Sequence, residues 1–292
     1  MLGIIWLAAP YIAYYISFKS DKKEQKISKE DKEYIKEIAY KTWKFFEEHI
    51  NETGNFLPPD NYQENRVEKV AYRTSPTNMG LGLLSVISAL DLGFIKYQEC
   101  IEILDKMLKV IDELQKWNGH LYNWYNTKTL EPLNPRFIST VDSGNFVGYL
   151  YVLKQAIPHA ANATIPLAKG DPGAIDELDT KINNMLGIID SLINNTDFSV
   201  LYSHKNNLFS IGFNIEENEL IDSYYDLLAS EARQASLIAI AKRDVTPKHW
   251  NGLSRTLTCI NGYKGLISWS GTAFEYLMPN VNIRKYPRNI TR

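Results

Sequence analysis

A glutamate at the entrance to an apolar stretch is the side chain of this 292-residue sequence that best suits acid–base chemistry. Glu231 lies in the run SYYDLLASEAR (223–233), and the apolar run ASLIAIA follows two residues later. Burial there would favour the protonated form of the carboxyl group, which is the form that a general acid needs. Two plainer roles stay open, since Glu231 could pair with Arg233 or cap the following helix. Candidate substrate contacts in the same run are Tyr224, Tyr225, Asp226 and Arg233.

A second stretch, HLYNWYNTKTLEP (120–132) followed by STVDSGN (139–145), combines aromatic rings with amides and one carboxylate. Aromatic rings stack on sugar faces, and amides hydrogen-bond to hydroxyl groups. Asp142 is the candidate for a second catalytic carboxyl group, but it precedes a predicted helix and suits an N-cap equally well. We expect a stacking wall and hydroxyl ligands formed by Tyr122, Trp124, Tyr125, Asn123, Asn126 and Asn145.

Two further junctions between a polar loop and a helix carry candidate substrate contacts. RTSPTN contributes Arg73 and Asn78, and SWSGTAFEYLMP contributes Trp269 and Glu275, although loop and capping roles would also explain these residues. Four such junctions suggest a polar cleft at one end of the molecule. The sequence has no Gly-rich phosphate loop, Ser-His-Asp order or metal motif, so the inventory indicates polyol binding with acid–base chemistry. Glycosidic-bond chemistry fits best, and it uses two carboxyl groups.

The elements that must position these residues are predicted to be helices. Apolar helices alternate with amphipathic ones, which predicts two concentric layers and an all-α, α/α toroid, with a helical-repeat solenoid as the weaker alternative. The long connection from Asn118 to Asp142 should rim one mouth of the toroid. Weak strand candidates are 198–203 and 209–213. The predicted helices are Ser28–Ile50, 78–95, Tyr97–Trp117, Asn145–Ala156, Ala174–Asn194, Tyr225–Arg243 and Pro247–Thr258.

Composition excludes several classes of protein. The formal net charge of −2 provides no basic footprint, so nucleic acid is not an expected ligand. Cys100 and Cys259 are far apart in sequence and stand in no metal-binding spacing, so we expect neither a disulfide framework nor a zinc site.

The first eighteen residues carry no charged side chain, whereas four lysines follow within the next eight. As a helix, residues 1–18 would span about 27 Å, close to the ~30 Å of a bilayer core. This pattern predicts a membrane anchor at 1–18 and a polar linker at 19–27, with the remaining chain on the cytoplasmic side. A buried or membrane-surface helix is the alternative.

Three motifs in this sequence, RTSPTNMGLGLLS, YYDLLASEAR and GLISWSGTAFEYLMP, resemble the central glucoamylase-like domain of cyclic β-1,2-glucan synthases, which are bacterial membrane enzymes. The resemblance implies an (α/α)6 toroid over residues 28–292 and a bacterial inner-membrane location. It also implies transglycosylation or hydrolysis of β-1,2-glucan, with Glu231 as the acid/base. No metal or nucleotide cofactor is implied.

The chain departs from that family at both ends. It lacks the upstream glycosyltransferase region and the downstream phosphorylase-like region, and it stops before a second glutamate in a WGISES-like motif. We therefore expect a toroid that is incomplete at the C-terminus, an apolar seam that favours self-association, and other parts of a split synthase as possible partners. The alternatives are a catalytically inactive, membrane-tethered glucan-binding module, a gene fragment and a helical scaffold. The binding module would use Trp124, Tyr125, Tyr224 and Trp269.

Overall fold

The structure is a computed structural model that describes residues 27–164, 172–229, 231–260 and 262–281, together with Ala8, Ala9 and Tyr11. The predicted membrane anchor at 1–18 lies almost entirely outside these residues. Within the described part of the chain, none of the helices combines the length and the apolar character that crossing a membrane requires. Cys100 and Cys259 are both free thiols.

Eight α-helices form about half of the described chain, and the first begins where the sequence predicts. Ser28 accepts a hydrogen bond from the Asp31 amide at 3.0 Å, and the Asp31 carboxylate accepts one from the Ser28 amide, so this helix starts with a capping box. The helices are α1 (Lys29–His49), α2 (Pro76–Asp91), α3 (Tyr97–Glu113), α4 (Thr140–Thr164), α5 (Pro172–Asn195), α6 (Arg233–Lys242), α7 (Lys248–Gly252) and α8 (Ala273–Leu277). Short 3-10 turns occur at Glu52–Gly54, Phe198–Leu201 and Met278–Val281.

Helix α4 is the centre of the packing, with α2 on one side and α6 on the other. Glycines allow both close approaches. A Cβ atom on Gly80 of α2 would lie 2.3 Å from the Tyr149 ring, and one on Gly144 of α4 would lie 2.3 Å from the Ala235 Cβ in α6. Helices α3 and α5 pack against each other, and α3 also contacts α2 while α5 contacts α4.

Short antiparallel strands occupy several connections, which corrects the expectation of an all-α chain. The chain remains mostly helical. The strands pair as β1 (Arg73–Thr74) with β4 (Tyr125–Asn126), β2 (Lys116–Trp117) with β3 (His120–Leu121), β6 (Tyr202–Ser203) with β7 (Leu208–Phe209), β10 (Leu257–Ile260) with β11 (Tyr263–Leu266), and β8 (Gly212–Asn214) with both β5 (Phe137–Ser139) and β9 (Glu219–Leu220). The pair β1–β4 connects the start of α2 to the 118–139 connection.

Several predicted helices are wrong in their bounds. The one predicted over Tyr97–Trp117 ends at Glu113, before strand β2, and the one predicted over Asn145–Ala156 runs from Thr140 to Thr164. The helix expected from Tyr225 begins only at Arg233, because the Tyr225 amide donates to the Phe209 carbonyl at 3.1 Å and the Leu227 amide to the Ser254 carbonyl at 3.3 Å. Backbone groups that bond to distant segments cannot form helix bonds. The helix predicted over Pro247–Thr258 ends at Gly252, and a strand follows.

Candidate active site

Two carboxyl groups from separate segments are joined by one chain of hydrogen bonds. The Thr77 hydroxyl donates to Asp142 Oδ1 at 2.6 Å, and Asn145 Nδ2 donates both to Thr77 Oγ1 at 3.1 Å and to Glu231 Oε1 at 2.9 Å. These three distances place the two carboxyl oxygens no more than about 8.6 Å apart. Glu231 and Asn145 are buried, at 7% and 1% exposure, and Asp142 is partly buried.

Local sequence explains why these side chains meet. Ser75 caps α2 by accepting from the Asn78 amide at 3.2 Å, with Pro76 in the first turn, so Thr77 lies at the very start of the helix. In α4, the Ser139 hydroxyl accepts from the Asp142 amide at 3.2 Å. The predicted capping role of Asp142 therefore belongs to Ser139, and the Asp142 side chain faces Thr77 instead. Gly144 then admits α6 beside Asn145, next to Glu231.

The electrostatics of the site follow from burial and from these donors. Burial raises the pKa of Asp142, while hydrogen bonds from Ser139 and Thr77 oppose the rise and the nearby Glu231 charge adds to it. The pKa of the Tyr225 hydroxyl is also raised, first by burial and then by the charges of Asp142 and Glu231. Tyr225 therefore shares the site with both carboxyl groups, and it stays a neutral phenol near neutral pH.

A second group of side chains supports Asp142 from the loop side. Asn123 takes the amide orientation that satisfies both of its atoms, with Nδ2 donating to Asp142 Oδ2 at 3.2 Å and Oδ1 accepting from Trp124 Nε1 at 3.1 Å. The Arg73 guanidinium lies 4.6 Å from the centre of the Trp124 ring. One face of that ring is therefore already covered.

Sequence reasoning missed Asp60, which holds this second group together. Its carboxylate accepts from Arg73 Nη2 at 2.8 Å and from Asn78 Nδ2 at 3.3 Å. The signal in the sequence was the unpaired cation of Arg73, which needed an anionic partner. Asp60 follows two prolines in a loop whose sequence gives no sign of this pairing, so the partner of Arg73 becomes apparent only in the folded chain.

Several predicted contacts have structural partners instead. Tyr125 is fully buried, and its hydroxyl donates to the Gln115 carbonyl at 2.6 Å, so Tyr125 and the buried Tyr122 do not form a stacking wall. Glu275 accepts from the Ser270 amide at 3.0 Å and completes the capping box of α8. Asp226 accepts from the Leu228 amide at 3.0 Å, within its own turn.

Three other candidates lie around the site at different depths. Arg233 is buried and donates to the Tyr276 carbonyl at 2.9 Å, which attaches α8 to the start of α6. Trp269 is 51% exposed, and its ring centre lies 5.4 Å from that of Tyr225. Tyr224 is partly buried and forms a bridge with Ser210. Across the described ranges, no cluster of His, Cys, Asp and Glu side chains has the grouping that a metal ion needs.

Comparison of the sequence with known proteins identifies one matching family and one long relative. The family described as "Protein of unknown function (DUF3131)" matches residues 37–168. The cyclic β-(1,2)-glucan synthase NdvB of Rhizobium meliloti is 32% identical over an alignment 385 residues long, which covers 95% of this chain and 14% of that protein. The chain thus corresponds to about one seventh of the length of that relative.

Solved structures share the fold. A candidate glucoamylase of Bacteroides fragilis has a TM-score of 0.65 at 15% identity, covering 88% of this chain and 58% of that one. The endo-β-1,2-glucanase of Chitinophaga pinensis, solved with sophorotriose and glucose, has a TM-score of 0.64 at 16% identity, covering 84% of this chain and 57% of that one. The β-1,2-glucanase of Parabacteroides distasonis has a TM-score of 0.59 at 12% identity, covering 75% of this chain and 29% of that one. At these identities the similarity shows a glucoamylase-like fold and nothing finer.

Proposed function

Because the chain is homologous over almost all of its length to a segment of a cyclic β-1,2-glucan synthase, we propose that it is a glucan-active domain that transglycosylates or hydrolyses β-1,2-glycosidic bonds. In this proposal Glu231 is the proton donor, and Asp142 is the second carboxyl group. The glucoamylase-like fold shared with two β-1,2-glucanases supports the substrate class.

The observation that carries the proposal is the pair of carboxyl groups connected through Thr77 and Asn145. Glycoside-cleaving enzymes place two carboxyl groups about 5–5.5 Å apart when the anomeric configuration is retained and about 6.5–9.5 Å apart when it is inverted. The upper bound of about 8.6 Å between Asp142 Oδ1 and Glu231 Oε1 is compatible with either arrangement. A polar cluster that brings two carboxyl groups together near the starts of α4 and α6 is better explained by bond cleavage than by a purely structural role.

The two carboxyl groups have different surroundings and different hydrogen-bond partners. Asp142 accepts hydrogen bonds from the Thr77 hydroxyl and the Asn123 amide, which favour its ionised form against the effect of burial. An ionised Asp142 can activate a hydroxyl group or attack the anomeric carbon. Glu231 lies just before the start of α6, on the other side of Asn145.

A buried acceptor in the site favours a polyhydroxy ligand. Asn145 Oδ1 has no hydrogen-bond donor among the described residues, although the side chain is 1% exposed. Leaving such an acceptor unsatisfied costs about 1–3 kcal/mol. A water molecule or sugar hydroxyl that donates to Asn145 would remove this penalty and lie between the two carboxyl groups.

A glucan-binding role without turnover is favoured by one separate observation. Trp269 presents half of its surface to solvent directly beside Tyr225, so a pyranose ring can stack on Trp269 next to the carboxyl pair. The arrangement would hold a glucan even if the carboxyl groups were inactive.

Turnover and binding separate the two functions. The purified chain is incubated with linear β-1,2-glucan, the products are analysed by mass spectrometry, and glucan affinity is measured by calorimetry on the same sample. New rings or altered chain lengths support the enzyme, and binding with an unchanged glucan pool supports the binding module. Glu216→Gln is the matched control, because this carboxyl group is exposed on the β8–β9 turn.

A further inference from the structure

We propose that Thr77, at the start of α2, is a positioning residue of this site, whose hydroxyl donates to Asp142, favours the ionised form of that carboxyl group and orients it. The inference deepens the proposed function and rests on it for its catalytic meaning. The hydrogen-bond geometry itself is independent of any activity. Thr77 Oγ1 lies 2.6 Å from Asp142 Oδ1 and 3.1 Å from Asn145 Nδ2.

The direction of the hydrogen bonds is determined by the chemistry of the three groups. An amide nitrogen only donates, and Asn145 Nδ2 contacts both Thr77 Oγ1 and Glu231 Oε1. The Thr77 oxygen is therefore an acceptor toward Asn145, and its single hydrogen is left for Asp142. A donor directed at a carboxylate stabilises the charged form.

The position of the hydroxyl is fixed by packing between two helices. Thr77 lies in the first turn of α2, immediately after Ser75 and Pro76, and its β-branched side chain has few rotamers. Gly80, one turn later, brings α2 against Tyr149 of α4, and Asp142 is two turns earlier on that same helix. The hydroxyl is thus held by the same contact that sets the spacing between α2 and α4.

Other groups around Asp142 act on its ionisation as well. The charge of Glu231, from the segment before α6, and desolvation by the surrounding chain both favour the neutral acid, and the Tyr225 phenol lies near both carboxyl groups. The donors that oppose them are Ser139 at the start of α4, Asn123 from the long connection, and Thr77. Among these donors, Thr77 is the one that also contacts the side chain bound to Glu231. Its removal should therefore change the ionisation of Asp142 and loosen the link between the two carboxyl groups.

The test compares Thr77→Val, which keeps the shape of the side chain, with Thr77→Ser, which keeps the hydroxyl. Carboxyl carbons of the full chain are labelled with ¹³C, and Asp142 is titrated by NMR, with Asp142→Asn identifying its signal. Loss of one hydrogen bond to a charged group, roughly 1.5 kcal/mol, should lower the ionisation constant of Asp142 about tenfold in Thr77→Val, so that the carboxyl group ionises at higher pH. Thr77→Ser should titrate like the wild type.

An Asp142 titration that is unchanged in folded Thr77→Val would overturn the inference, and so would equal shifts in the Val and Ser variants. If Thr77→Val does not fold, as judged by circular dichroism, Thr77→Ala replaces it with the same expected direction. Where glucan turnover is present, its acidic limb should move to higher pH in step with Asp142, whereas a merely structural loss would lower turnover at every pH. A shifted titration in a chain without any turnover would support the role of Thr77 and count against the proposed function.

Discussion

Acidification should destabilise this fold through one buried histidine. His120 is 1% exposed, and its ring nitrogens contact the Ser143 hydroxyl at 2.8 Å and the Asp197 carbonyl at 2.7 Å. The Asp197 carbonyl can only accept, so Nε2 carries the hydrogen and Nδ1 accepts from Ser143. Burial favours this neutral form of the ring in the folded chain by lowering its pKa, and the ring secures the first turn of α4 next to Asp142.

The magnitude follows from the pKa of this ring. Burial lowers the pKa of His120 from 6.5 to about 4. Below pH 6.5 the His120 ring is protonated in the unfolded chain but stays neutral in the folded chain. The contribution of this ring to the free energy of unfolding is therefore fully present above pH 6.5 and is lost as the pH falls toward 4. At about 1.4 kcal/mol per unit, the full loss is about 3 kcal/mol, of which about 2 kcal/mol appears between roughly pH 7 and pH 5. Burial also lowers the pKa of His249, which adds to the loss in the same direction.

Urea denaturation at several pH values between these limits measures the effect as a change in the free energy of unfolding. His120→Asn should be less stable at neutral pH but should lose about 2 kcal/mol less than the wild type on acidification. His204→Asn is the matched control, because His204 is exposed, and it should keep the wild-type loss. A His120→Asn chain with the full wild-type pH dependence would refute the reasoning.

Two further perturbations test the packing and the ligand surface. Gly144→Ala places a methyl group 2.3 Å from the Ala235 Cβ, so it should destabilise the chain by about 1–3 kcal/mol in urea and lower any turnover. Gly187→Ala in α5, where an added Cβ meets nothing within 4 Å, should instead stabilise it by about 0.5–1 kcal/mol. Trp269→Ala should weaken β-1,2-glucan binding about three- to tenfold by calorimetry, whereas the control Leu257→Ala, at a still more exposed apolar side chain, should not. Equal affinities of Trp269→Ala and the wild type would exclude Trp269 as a platform.

The sequence predicted helix starts well where capping and apolar residues close by in the chain determine them. The helix predicted from Ser28 and the apolar run predicted from Asn78 mark the starts of α1 and α2 within two residues. The helix predicted from Tyr225 failed because its backbone amides bond to Phe209 and Ser254, far away in sequence. The local pattern of residues in one sequence does not indicate which distant carbonyl groups will accept these hydrogen bonds.

The same distinction applies to the site. Asp142, Asn145 and Glu231 could be named as candidates because carboxyl and amide side chains at predicted helix starts are chemically conspicuous. Thr77 was not, since its role depends on the approach of α2 to α4 across 65 residues. Tyr125 was mistaken for a ligand contact because the carbonyl that binds its hydroxyl, on Gln115, becomes a neighbour only after folding.

The most direct test of the central proposal is the rate of β-1,2-glucan turnover by Glu231→Gln compared with the wild type and with Glu216→Gln. Removing a general acid should lower turnover by about 10²–10⁴-fold. The folded structure and the glucan affinity should persist in Glu231→Gln, because glutamine can still accept from Asn145. Turnover by Glu231→Gln at the wild-type rate would contradict the proposed role of Glu231.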